Sequence, residues 1–100
     1  SWNAKFWAAG RVDLDGSSAT LVRGYNIANV TRTATGIVLV EFTVAMPDDS
    51  YSVLATPRDV GGQIIATSEA TGSFVVERAD IAGVATDAPF NFRVEMGIDE

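Results

Sequence analysis

Gly24-Tyr25-Asn26-Ile27-Ala28-Asn29-Val30-Thr31, and then Thr35-Gly36-Ile37-Val38-Leu39-Val40-Glu41-Phe42-Thr43-Val44-Ala45-Met46-Pro47-Asp48-Asp49-Ser50-Tyr51-Ser52-Val53, read as strand, turn, strand, turn, strand. Along residues 37–44 the side chains of Val38, Val40, Phe42 and Val44 share one face, because successive residues of a strand point to opposite sides. That face is wholly apolar and belongs in a core. Ile37 and Leu39 make half of the opposite face apolar as well, which predicts a strand covered on both sides over half its length, the outer cover being another subunit. Proline and two aspartates at residues 47–49 break the pattern and set a turn. The block specifies an all-β domain and, by its chemistry alone, no function.

Outward from this block the same period of two continues. Val12 and Leu14 alternate with Asp13 and Asp15. Residues 19–25 and 27–30 read as one strand or two short ones, with Asn26 at a bulge or an edge, and the threonine-rich residues 31–36 read as a hairpin loop. Tyr51, Val53 and Ala55 share a face before Pro57 closes their strand. A loop at 58–62, a short strand at 63–68 and a strand at 73–78 follow, the last with Phe74, Val76 and Arg78 on one side. After a loop at 80–89, residues 90–98 alternate most cleanly, with Phe90, Phe92, Val94, Met96 and Ile98 pointing one way. Six to eight short strands with turns between them, and no helical period, predict a small antiparallel β-sandwich.

The totals bound what such a domain does. One hundred residues make one domain, which buries roughly 60–68% of the surface its unfolded chain exposes. At 47% hydrophobic and 20% charged residues the composition is that of an ordered chain. The formal net charge of −6, with Lys5 and six scattered arginines as the only basic residues, argues against nucleic acid, which needs clustered positive charge. It disfavours anionic membranes for the same reason, and no apolar run is long enough for a membrane helix. Cysteine and histidine are both absent, which removes disulfides, thiolate nucleophiles, Ser-His systems and the commonest metal ligand. Asp13-Leu14-Asp15-Gly16 lacks the further ligands of a calcium loop and reads as an Asp-Gly turn. The expectation is a binder without cofactor or metal, not an enzyme. Without disulfide staples, oligomerisation is one route to stability, and the aromatics Trp2, Phe6 and Trp7 are expected to pack on the domain or on a neighbouring subunit. Asn29-Val30-Thr31 matches a glycosylation sequon, a pattern short enough to occur by chance.

The combination Tyr25-Asn26-Ile27-Ala28-Asn29-Val30-Thr31, Thr35-Gly36, Val40-Glu41-Phe42-Thr43-Val44-Ala45-Met46-Pro47-Asp48 and Tyr51-Ser52-Val53 resembles a module of bacteriophage tail fibres and receptor-binding proteins. It covers about thirty of the 100 residues, with a weaker likeness at 6–16. From Phe42 onward the layout is also similar to the H-type lectin domain, a six-stranded antiparallel sandwich that forms trimers and binds sugars near subunit boundaries. That family's Trp-His pair is replaced here by residues of the run Asp80-Ile81-Ala82, so the likeness carries the fold further than the sugar specificity. The resemblance implies a terminal fragment of a longer fibre protein, located in the virion and acting outside the cell. Its implied partners are two further copies in a homotrimer and a host-surface glycan or lipopolysaccharide. The alternatives are a structural trimerisation module with no ligand and an H-type lectin unrelated to phage. For the ligand site we expect Arg58, Asp59, Gln63 and Asp80, polar residues in or beside the loops of the second half.

Overall fold

The computed structural model describes residues 6–47, 49–58 and 62–95. Eight strands follow one another: β1 Phe6–Leu14, β2 Ala19–Tyr25, β3 Ile27–Ala34, β4 Ile37–Phe42, β5 Ser52–Pro57, β6 Gln63–Thr67, β7 Ser73–Ala79 and β8 Phe90–Glu95. They form two four-stranded sheets with every neighbouring pair antiparallel, the first in the order β2-β1-β8-β5 and the second in the order β3-β4-β7-β6. There is no helix among the described residues. This is the predicted all-β sandwich.

The alternating apolar residues of each sheet face the other sheet. Val38, Val40 and Phe42 of β4 and Phe74 and Val76 of β7 meet Ala8, Val12 and Leu14 of β1 and Phe90, Phe92 and Val94 of β8 in one buried cluster. Phe74 lies at its centre, 5.6 Å from Phe42, 6.4 Å from Tyr51 and 5.4 Å from Phe92 between ring centroids. Such ring pairs add about 0.5–1.5 kcal/mol beyond the area they bury. The Tyr51 hydroxyl donates toward the carbonyls of Ala70 (2.6 Å) and Ser73 (2.8 Å), and burial pushes its pKa up to about 12. Arg78 shares the inward face of β7 as the period requires, and is buried with its guanidinium donating to the Gln63 carbonyl at 3.4 Å.

Two expectations change, and one alternative is decided. Residues 31–36 are not a hairpin loop, because β3 continues to Ala34 and only Thr35 and Gly36 turn. A pair this short requires a left-handed residue, and Gly36 supplies it at φ 73°. A Cβ there would lie 2.5 Å from the Arg78 carbonyl oxygen. Residues 19–34 form two strands in different sheets, and Asn26 at φ 58° is the corner between them. The Asn26 side chain accepts the Val44 N–H (2.8 Å) and donates to the Val44 carbonyl (3.1 Å). Held by this clamp, Val44 leaves β4 and is 64% exposed, not in the core. Trp7 packs against the core. Trp2, Met96 and Ile98 lie outside the described residues, as does the side chain of Phe6.

Candidate ligand-binding face

The outer face of the first sheet is built by the same alternation that fills the core. With Gly10, Val12, Phe90, Phe92 and Val94 turned inward, Ala9, Arg11, Asn91 and Arg93 turn outward. Register then sets rows across the sheet. Arg23 of β2 stands opposite Arg11 of β1, Arg11 opposite Asn91 of β8, and Asn91 opposite Thr56 of β5. The adjoining row runs Tyr25, Ala9, Arg93, Leu54. Ala9 is small, and beneath it Gly10 meets Gly24 in register, so the middle of the face sinks between taller neighbours. The result is a trough of about 580 Å³ with Arg11, Arg23, Tyr25, Arg58 and Asn91 in its lining. A second hollow of about 450 Å³, bounded by Leu54, Thr56 and Arg93, shares Asn91 with it. Tyr25 is 60% exposed.

Gly10 cannot readily be anything larger. A Cβ there would lie 2.7 Å from the Phe92 ring, so any side chain would push the core or lift the floor of the trough.

Of the residues expected from the sequence, Gln63 and Asp80 meet at one end of the second sheet, where Gln63 pairs with Ala79, while Arg58 belongs to the first sheet. Arg58 follows β5, donates its N–H to the Pro89 carbonyl at 3.2 Å and lines the trough. Gln63 opens β6 in the other sheet and borders a separate hollow with Ile37, Glu77 and Gly83. Asp80 is committed to its own turn, where Oδ1 accepts the N–H groups of Ala82 (2.9 Å) and Val84 (3.0 Å). These two bonds use one oxygen of the carboxylate to hold the loop. Asp59 lies outside the described residues. Arg11, Arg23, Tyr25 and Asn91 escaped the sequence reading because each sits in a strand. Parity marks Arg11 and Asn91 as outward-facing, but Arg23 and Tyr25 share parity with the core-packed Ala19 and Leu21 and turn outward only because the ladder shifts at Val22, so register alone places the four side by side.

Two other acidic positions are structural. Asp15 Oδ1 accepts the N–H groups of Ser17 and Ser18, each at 2.9 Å, and these bonds, Ser17's first, lower its pKa, as an Asp-Gly turn predicts. Asp87 binds Arg32 at 3.1 Å and accepts the Gly36 N–H at 2.8 Å. The Arg32 hydrogen bond, and after it the Gly36 N–H, holds the Asp87 carboxyl below its ordinary range. Among the described residues no group of three or more Asp and Glu is placed to hold a metal ion. No protein-family model, curated protein or solved structure matches the chain.

Proposed function

We propose that this chain is a receptor-binding domain of a phage-type tail fibre, part of the virion, that takes a host-surface glycan as a homotrimer. The observation that carries the binding half of this reading is the trough on the outer face of the first sheet. It is concave, open, and lined by an exposed tyrosine ring, an amide and three guanidinium groups. Planar polar groups beside an aromatic platform suit a sugar, whose hydroxyls need directional partners and whose C–H face needs an apolar one. The likeness of residues 24–53 to phage fibre modules, and of the layout from Phe42 onward to H-type lectins, supplies the biological setting. A chain without histidine or cysteine fits a binder better than a catalyst.

The homotrimer draws its support from the outer face of the second sheet. Ile37, Leu39 and Val75 are half-buried there within a single copy, and Ile65 is 54% exposed. This same face favours the second reading, a structural module that joins three chains and touches no receptor. Light scattering followed by a glycan array separates the two. The receptor reading expects three times the 10.6 kDa mass of one chain and selective binding of a sugar class, with Leu39→Glu dissociating the trimer. A trimer that ignores every glycan leaves the structural module, and a stable monomer at micromolar concentration removes the trimer from both.

A further inference from the structure

Positive charge is unevenly placed in this acidic chain. Of its six arginines, Arg32 is paired with Asp87 and Arg78 is buried in the core. The other four, Arg11, Arg23, Arg58 and Arg93, belong to the outer side of the first sheet. Arg93 is tied to Glu95 at 2.9 Å. Among the described residues Arg11, Arg23 and Arg58 form no ion pair. Among the described residues the acids of these strands on the same face are Glu95, which Arg93 holds, and Asp13, which stands opposite Thr20 and outside the lining of the trough.

Arg11 and Arg23 are direct cross-strand partners. In such a pair the Cβ atoms are about 5 Å apart and like charges work against the ladder. The two arginine side chains thus leave the sheet side by side beside a hollow floored by Ala9, Gly10 and Gly24, within reach of a common anion. An anion bound between them removes the conflict and gains two forked, charge-assisted contacts, the geometry arginine offers to carboxylate and phosphate. The trough's volume falls within the roughly 300–1,000 Å³ of small-ligand sites, and Tyr25 offers a ring beside the charges.

We infer that the ligand of this trough is an acidic oligosaccharide, its carboxylate or phosphate held between Arg11 and Arg23, with Tyr25 against the sugar ring and Arg58 at the margin. The inference rests on the receptor-binding reading and adds the charge of the receptor to it.

The test uses an array of oligogalacturonides, sialylated glycans and phosphorylated oligomannosides, each beside its neutral counterpart, followed by calorimetry with the strongest binder. The carboxylate and phosphate arms distinguish the two acidic groups. Wild type is expected to bind an acidic member and not its neutral counterpart. The R11Q/R23Q double variant is expected to lose about tenfold or more in affinity, as for loss of hydrogen bonds to a charged group, without a fall in melting temperature. Raising salt from about 0.1 M to about 1 M is expected to weaken binding, since the screening length drops from about 10 Å to about 3 Å. Ala9→Phe, which keeps every charge but fills the floor, is expected to block binding as well. Equal binding of neutral glycans that the variants leave unchanged overturns the inference and leaves the receptor reading standing. Failure to bind any glycan, acidic or neutral, overturns both. A change in oligomeric mass on R11Q/R23Q makes the trough a contact between copies, and the inference falls.

Discussion

The two outer faces of this sandwich are made by the same alternation and answer to different demands. On the second sheet, Leu39 and Val75 lie in register, flanked by Thr31 and Thr67, and Glu77 stands between Ile37 and Ile65. No two like charges stand opposite each other there. On the first sheet, Arg23 faces Arg11, and an exposed tyrosine borders a hollow. One face is locally consistent and the other carries a conflict. Folding does not require the arginine pair, since the core beneath is complete without it, and a local rule broken without gain to the fold is where function is expected.

Both faces stand on one core. Phe74→Ala takes away the ring between the sheets and is expected to cost about 3–5 kcal/mol, a large share of the roughly 5–15 kcal/mol of a typical domain. Chemical denaturation should show both faces lost in one transition. Separate transitions followed by amide exchange in β1 and β8 and in β4 and β7 would mean that the sheets are independent units.

A smaller effect belongs to the second sheet. Asp87→Asn removes the carboxylate that ties Arg32 and the Gly36 turn to the loop before β8. Because the folded-state pKa of Asp87 is depressed, its contribution is fully present above the unfolded value of about 3.9 and is lost as pH falls through the folded one. The melting-temperature gap between wild type and variant should be constant near neutrality and close below about pH 4. A gap unchanged at low pH would show that the ion pair contributes nothing.

The smallest effect has the opposite sign. Arg23→Gln relieves the like-charge pair and is expected to stabilise the domain by about 0.2–1 kcal/mol, read as a raised midpoint in urea. Lost stability would mean that the packing of the guanidinium stem outweighs the repulsion between the charges.

Much of the fold was legible in the sequence because burial imposes a period of two. The inward residues of β4, β5, β7 and β8 follow from alternation alone, including Arg78, which parity placed beside Phe74 and Val76 and which the fold buries. Threonine misled the reading of β3. Its β-branched side chain favours strands as well as loops, and Gly36 was the sole true turn signal. Val44 misled it as well, because its departure from β4 depends on Asn26, eighteen residues earlier, and no local pattern carries that link. The candidate face was illegible for a related reason. Loops announce themselves by composition, which drew attention to Arg58 and Asp80. The meeting of Arg11 with Arg23 is a matter of register between strands, and the bulge in that ladder between Arg11 and Val12 makes register harder still to infer.

β1 and β8 lie side by side and run in opposite directions, with Phe6 opposite Glu95. A pull that separates those two residues acts across the ladder, not along it, so the strands part rung by rung like a zip instead of sliding as a sheared bundle. Arg11 and Asn91 form the fifth rung from that end. Tension of a few broken rungs therefore reaches the floor of the trough while the second sheet is still intact, and the grip on anything held there would slacken before the domain itself gave way.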